Sequence, residues 1–209
     1  IQTDGYGVYQ SLFEKNQSIY HYFCMSHIRR HFDEAVKNDS ERAAWAVRTI
    51  GRLYGIEKEI REHTPPLGEG EIVEKRMTQA LPILTELHEW MQQEYPKVLP
   101  QSPIGKAIGY ALPLMESMRL YALHGDLQID NNLIENAIRP IALGRRNFLF
   151  AGTHDTAQNA AMIYSLFASC KKHQVNPQDW LLDILRKMND PNYGGRFSDL
   201  LPNRWKLNQ

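Results

Sequence analysis

A chain of 209 residues, 43% hydrophobic and 23% charged, has the make-up of a globular protein rather than a disordered or fibrous one, and it is long enough for one large domain or a core with an insertion. Lys plus Arg and Asp plus Glu both number 24, so no global field draws the chain to nucleic acid or membrane, and any such contact must come from a local cluster. Cys24 and Cys170 are too few for a disulfide framework and fit a reducing cytoplasm, and no apolar run approaches the ~20 residues of a membrane span.

The opening Ile1-Gln2-Thr3-Asp4-Gly5 has no initiator Met, basic region or apolar signal segment, and reads as a cut into a longer chain. It fits the end of a strand running into a loop. Residues 18–24, Ser-Ile-Tyr-His-Tyr-Phe-Cys, are β-branched and aromatic and predict the one full strand. Between the two, Val8, Tyr9, Leu12 and Phe13 lie at helical spacing, so strand, short helix and strand predict a parallel crossover. After Met25 the period turns helical for about a hundred residues. Ala46, Ile50, Leu53 and Ile60 form one apolar stripe; beyond the break at Thr64-Pro65-Pro66-Leu67-Gly68, Val73, Met77, Ala80, Leu84, Leu87 and Met91 form another. These predict an antiparallel helical hairpin whose second arm Pro82 kinks. Past a loop, Ala107, Ile108, Ala111, Leu112 and Met115 make a further face. Gly125 to Gly152 is dense in Asp, Asn, Arg and Gly, and chemistry is expected there. Ala160, Ile163, Tyr164, Phe167 and Cys170 predict a buried helix; Asn176-Pro177 predicts an N-cap and first-turn proline for the helix carrying Trp180, Leu181, Ile184, Leu185 and Met188.

Each candidate site residue has two readings. Asp4, where a strand meets a Gly, is either a carboxylate at a sheet edge open to a ligand or one half of a common Asp-Gly turn. In Asp130-Asn131-Asn132-Leu133-Ile134-Glu135-Asn136, the apolar period puts Leu133, Ala137 and Ile141 on one helix face and Glu135 on another. Glu135 then either completes a capping box with Asn132 or serves as a metal ligand with polar neighbours behind it. Arg145 and Arg146 follow Gly144 and suit phosphate oxygens, or else decorate a solvated helix end. Phe148-Leu149-Phe150-Ala151-Gly152 reads as core or a short strand rather than a base-stacking platform. His21, Cys24, His27 and His31 have a spacing reminiscent of zinc ligands, but residues at odd separation on a strand face opposite ways, so packing and hydrogen bonding is the preferred reading. Arg29 and Arg30 either reach phosphates or decorate a helix.

Asp4-Gly5-Tyr6, Cys24-x-x-His27-x-Arg29-Arg30, Asp130-Asn131-Asn132-x-x-Glu135-Asn136-Ala137-Ile138-Arg139-Pro140, Gly144-Arg145-Arg146-Asn147-x-Leu149-Phe150-Ala151-Gly152 and the closing Leu200-Leu201-Pro202-x-x-Trp205 occur here in one order. Together they resemble the insertion-sequence-66 family of bacterial transposases over almost the whole chain. The chain departs from the usual family pattern at Met25 and Ser26, where an aromatic and an Ala are customary, and at Asn136, where Arg is frequent.

The resemblance implies a ribonuclease H-like α/β core whose Asp, Asp, Glu set binds two Mg²⁺ or Mn²⁺ ions, with Asp4 similar to the second acid, Glu135 to the third, and the first on an earlier strand. The expected fold is mainly α as a fragment, with one or two short parallel strands left from that core. Residues 1–39 would be the carboxy-terminal part of the core, 40–120 a helical insertion, and 121–209 a return to the core with the third acid and carboxy-terminal helices. Asp4 and Glu135 would be catalytic metal ligands. Arg29, Arg30, Arg139, Arg145 and Arg146 would contact DNA; Cys24, His27, Asn131 and Asn132 would be structural. The implied partners are transposon-end and target DNA, further copies of the chain on that DNA, and helper proteins encoded beside the element, with no membrane and a cytoplasmic, nucleoid-associated location. Two alternatives stand beside this reading: a non-catalytic DNA-binding or assembly remnant, and a metal-independent hydrolase using Asp4 and Glu135 as acid and base.

Overall fold

A computed structural model describes residues 1–3 and 21–205, which form two compact units, Ile1–Leu133 and Ile134–Gln209. Strands β1 (Gln2–Thr3) and β2 (Tyr22–Phe23) are parallel, with Gln2 opposite Tyr22 and Thr3 opposite Phe23. This is the pairing that the strand, helix, strand spacing predicts. Asp4, the helix expected around Val8 to Phe13, and the first part of the strand expected over 18–24 lie outside the described residues. Cys24 follows β2 rather than ending it.

The rest of the first unit is helical, so the expected mainly α fold with two short parallel strands holds. Helix α1 (Met25–Ala35) packs on α2 (Ser40–Glu62) and α5 (Pro103–Ala111) through the fully buried Met25, Ile28, Phe32 and Ala35. Asp39 caps α2, accepting from the Arg42 N–H at 3.1 Å, and the stripe Ala46, Ile50, Leu53 and Ile60 is buried as its spacing predicts. Ser102 caps α5 and Pro103 opens it, where a missing N–H costs no helical bond. Helix α6 (Met115–Leu120) and a 3-10 turn (Tyr121–Leu123) complete the layer.

The second arm of the hairpin departs from a simple period. Helix α3 (Glu69–Lys75) runs into a π-helical turn (Arg76–Ala80) and then α4 (Leu81–Glu94). In that turn the Leu81 N–H donates to the Arg76 carbonyl, five residues back rather than four. Pro82 brings no N–H to the next turn, and the wider turn precedes it. The extra residue rotates the face: Ala80, Leu84, Leu87 and Met91 are fully buried, but Met77 is 46% exposed and Arg76 takes the inward place.

Helix α7 (Asn132–Phe148) begins at the end of the first unit and belongs mostly to the second, with α8 (His154–Lys172) and α9 (Pro177–Met188). Asn176 caps α9 by accepting from the Gln178 N–H, and Pro177 is its first residue, as expected. The closing motif fastens this helix. Trp180 donates its indole N–H to the Leu200 carbonyl at 2.8 Å, and Trp205 donates to Asp183 Oδ2 at 2.8 Å. Two expectations fail here. Of the residues expected to bury α8, only Cys170 is fully enclosed, while Ile163 is 53% exposed. Phe148, Leu149 and Phe150 are neither core nor strand: all three are exposed, and Leu149 takes a left-handed φ of 35° just past the end of α7. A helical period shows that one face is apolar; it does not supply a surface to cover it.

Candidate functional site

Two of the sequence motifs, the one beginning at Cys24 and the one beginning at Asp130, are joined at the end of the small sheet. The Gln2 side-chain amide donates to the Phe23 carbonyl at 3.3 Å and to the Gln128 carbonyl at 3.0 Å. Met25 N–H donates to the Ile129 carbonyl at 3.1 Å, and Asn131 N–H to the Cys24 sulfur at 3.4 Å. Ser26 Oγ, itself 3.0 Å from that sulfur, donates to the Asn132 side-chain oxygen at 3.4 Å. Thus the strand that leads to Asp4 and the segment that leads into α7 are stitched to one another and to the start of α1. The buried Cys24 acts as a packing group and weak acceptor here.

Asp130 organises the start of α7. Its Oδ1 accepts the Asn132 backbone N–H at 3.1 Å; its Oδ2 accepts the Asn132 side-chain amide at 2.8 Å and the Tyr54 hydroxyl at 2.9 Å. Asn132 is therefore the first helical residue and not the cap, and the capping acceptor is Asp130. Burial, and then the adjacent Asp130 carboxylate, push the Tyr54 hydroxyl well above the ordinary phenol range, so it stays a proton donor.

Helix α2, which carries Tyr54, is one of three ties from the helical layer to this segment. Arg76 donates to both oxygens of Glu57 at 2.9 and 2.8 Å, and to the carbonyls of Tyr121 at 3.3 Å and His124 at 2.7 Å. Its guanidinium also lies 4.9 Å from the centre of the Tyr121 ring. With side chains only 2% and 3% exposed, Arg76 and Glu57 form a buried bidentate pair. Next to His124, the backbone of Glu69 comes so close to Gly125 that a Cβ there would stand 2.7 Å from the Glu69 carbonyl oxygen. None of Tyr54, Glu57, Arg76 or Gly125 stands out in the sequence as a site residue. The inward place of Arg76 follows from the π-helical turn, which the apolar spacing of Val73, Met77 and Ala80 does not register.

Along α7, residues 132 to 143 are exposed, Glu135 and Arg139 among them, and so are Arg145 and Arg146. At about 100° per residue, Glu135, Arg139 and Arg146 fall within roughly 40° of arc, opposite Leu133, Ala137, Ile141 and Phe148. Arg145 points off this line. The acid occupies the first turn, where a negative charge complements the helix dipole, and the last arginines occupy the final turn. Pro140, inside the helix, offers no N–H to the Asn136 carbonyl. Gly144 is buried because Tyr164 of α8 lies over it, and a Cβ would collide with that hydroxyl. Arg29 and Arg30 are exposed on α1, with Arg30 at 4.0 Å from Glu34.

The histidines near Cys24 go separate ways. His21 is 2.6 Å from Thr3 Oγ1 and tilts against the Phe23 ring at 4.1 Å; His31 packs on Tyr110 at 4.3 Å. Burial pulls both imidazoles below the ordinary histidine pKa. Among the described residues no three His, Cys, Asp or Glu side chains gather closely enough to hold a metal ion, and no helix is long and apolar enough to cross a membrane.

Comparison with known proteins accounts for nearly the whole chain. A model described as "Transposase IS66 family" matches residues 1–159, and one described as "IS66 C-terminal element" matches residues 165–203. Three proteins of Sinorhizobium fredii are similar. Uncharacterized protein y4hP is 32% identical over 197 residues, covering 88% of this chain and 35% of its own length. Uncharacterized protein y4qI is 31% identical over 195 residues, covering 90% and 35%, and uncharacterized protein y4jD is 28% identical over 216, covering 100% and 42%. This chain thus spans well under half the length of these relatives. No solved structure matches it significantly. The chain belongs to the IS66 family of transposases.

Proposed function

We propose that this chain is the part of a DNA transposase that carries the second and third acids of a two-metal site, Asp4 and Glu135, and the arginines that hold the DNA backbone beside it. The observation that carries the reading is the bond from Gln2 to the Gln128 carbonyl, which ties the strand entering Asp4 to the segment entering the helix of Glu135. Their donor chemistry suits Mg²⁺ or Mn²⁺, which take hard carboxylate oxygens. The described residues alone gather no complete ligand set, so the reading requires Asp4 and a further acid. When bound, two such ions activate the attacking oxygen and stabilise the leaving oxygen in phosphodiester cleavage and strand transfer. Glu135 would hold its carboxylate at the first turn of α7, while Arg139 and Arg146, in line along the same stripe, bind successive phosphates. Arg145 and the Arg29–Arg30 pair supply further positive charge. Paired transposon ends imply more than one copy on DNA, in a cytoplasmic, nucleoid-associated setting, with helper proteins as further partners.

The test is cleavage of transposon-end DNA by the complete protein with and without Mg²⁺. Metal-dependent nicking that Glu135→Ala or Asp4→Ala removes, without loss of folding, is the expected result. Full activity in both variants would take these acids out of the site, and DNA binding without any cleavage would favour a non-catalytic assembly module.

A further inference from the structure

The geometry points to Tyr54 as a positioning residue: from helix α2 of the helical layer it holds Asp130, and through Asp130 it sets the first turn of α7, on which Glu135 stands. This rests on the proposed transposase reading and extends it to a residue that touches neither metal nor DNA.

Three donors converge on Asp130: the Tyr54 hydroxyl, the Asn132 backbone N–H and the Asn132 amide, at 2.9, 3.1 and 2.8 Å. A carboxylate engaged in this way is a helix cap and hydrogen-bond hub, so Asp130 is not a third metal ligand despite its place in the acid-rich motif. The Asn132 N–H is one of the otherwise orphaned donors of the first turn, and the orientation of Asp130 decides whether it is met. Two neighbouring bonds, from Met25 N–H to Ile129 and from Asn131 N–H to Cys24, fix the backbone on which Asp130 sits. They leave its side-chain rotation to Tyr54 and Asn132. Tyr54 is half-buried within the helical core, so its hydroxyl is delivered by a rigid element. The helical layer thereby holds the side chain that caps the acid-bearing helix.

The test compares Tyr54→Phe, Asp130→Asn and the double variant in the complete transposase. Tyr54→Phe keeps the ring and removes one charge-assisted hydrogen bond. Its kcat for Mg²⁺-dependent strand cleavage should fall about tenfold, with KM for DNA unchanged within about twofold. Amide hydrogen exchange should quicken at residues 132–135 while the α1 and α2 core amides keep their protection. Asp130→Asn should give a loss of similar size, and the double variant should be little worse than either, because one coupling is being removed. Complete loss of cleavage in Asp130→Asn beside a normal Tyr54→Phe would make Asp130 a metal ligand and overturn the inference. Wild-type exchange at residues 132–135 in Tyr54→Phe would overturn it too. If the unaltered protein shows no metal-dependent cleavage, the transposase reading fails, and the exchange measurement still judges Tyr54 by itself.

Discussion

Arg76 is fully enclosed yet leaves no guanidinium nitrogen idle, because Glu57 takes two and the Tyr121 and His124 carbonyls take the third. Desolvating both charges is costly, so the pair's net worth is small compared with the penalty for splitting it. Arg76→Met, which strands the Glu57 carboxylate in the core, should cost about 3–5 kcal/mol in urea unfolding. Joining it to Glu57→Leu should return most of that loss; a double variant as unstable as the single one would show that the two carbonyl bonds, not the ion pair, dominate. Glu135 differs from Arg76 in burial. It is exposed on the first turn of α7, and the Asn132 N–H is met by Asp130. Glu135→Ala should therefore shift the melting temperature by no more than about 2–4 °C, while removing transposition in the complete protein. A large drop in melting temperature would assign the residue a structural role instead.

Between elements, the same logic applies to close approaches and helix ends. Gly125 lies under the Glu69 backbone, so Gly125→Ala must push the turn after Leu123 away from α3, and a loss of about 1–3 kcal/mol is expected in thermal or urea unfolding. A neutral result would mean that the segment entering α7 yields freely. At the junction of α2 and α4, Arg42 bridges Asp39 and Glu94, each at 2.7 Å, and Lys97 adds a second bond to Glu94 at 2.7 Å. The Arg42 hydrogen bond holds Asp39 below the usual carboxylate range; bonds from Lys97 and then Arg42 do the same for Glu94. Depressed folded-state pKa values mean that this network stabilises the fold above about pH 4 and is lost as the pH falls through the lowered values. The melting temperature should therefore decline as the pH falls below about 4, and Arg42→Gln should flatten that decline. Because the side chains are partly solvated, added salt should weaken the effect. An unchanged acid profile in Arg42→Gln would place the acid sensitivity elsewhere.

Across the whole molecule, what the sequence made legible was whatever repeats. The stripe Ala46, Ile50, Leu53, Ile60 and the caps at Asn176 and Pro177 follow from local spacing and local backbone chemistry. Arg76 and Met77 changed places because a π turn adds a residue that an apolar period cannot register. The ties of Tyr54 to Asp130 and of Gln2 to Gln128 join residues 76 and 126 positions apart, and no periodic signal marks such pairs. For the same reason the motifs singled out Glu135 as a candidate without revealing Asp130 as the cap of its helix. The candidate arginines were visible as residues, but their alignment with Glu135 depends on α7 continuing unbroken through Pro140. That alignment makes a claim about DNA binding that is independent of catalysis. With the complete protein and transposon-end DNA, the logarithm of the binding constant should fall linearly with the logarithm of salt concentration. Arg139→Ala and Arg146→Ala should each lower the steepness by about one, with similar losses on unrelated sequences, as phosphate contacts require. A variant that weakens binding only to the transposon end, with an unaltered salt slope, would make that arginine a reader of bases rather than a clamp on the backbone.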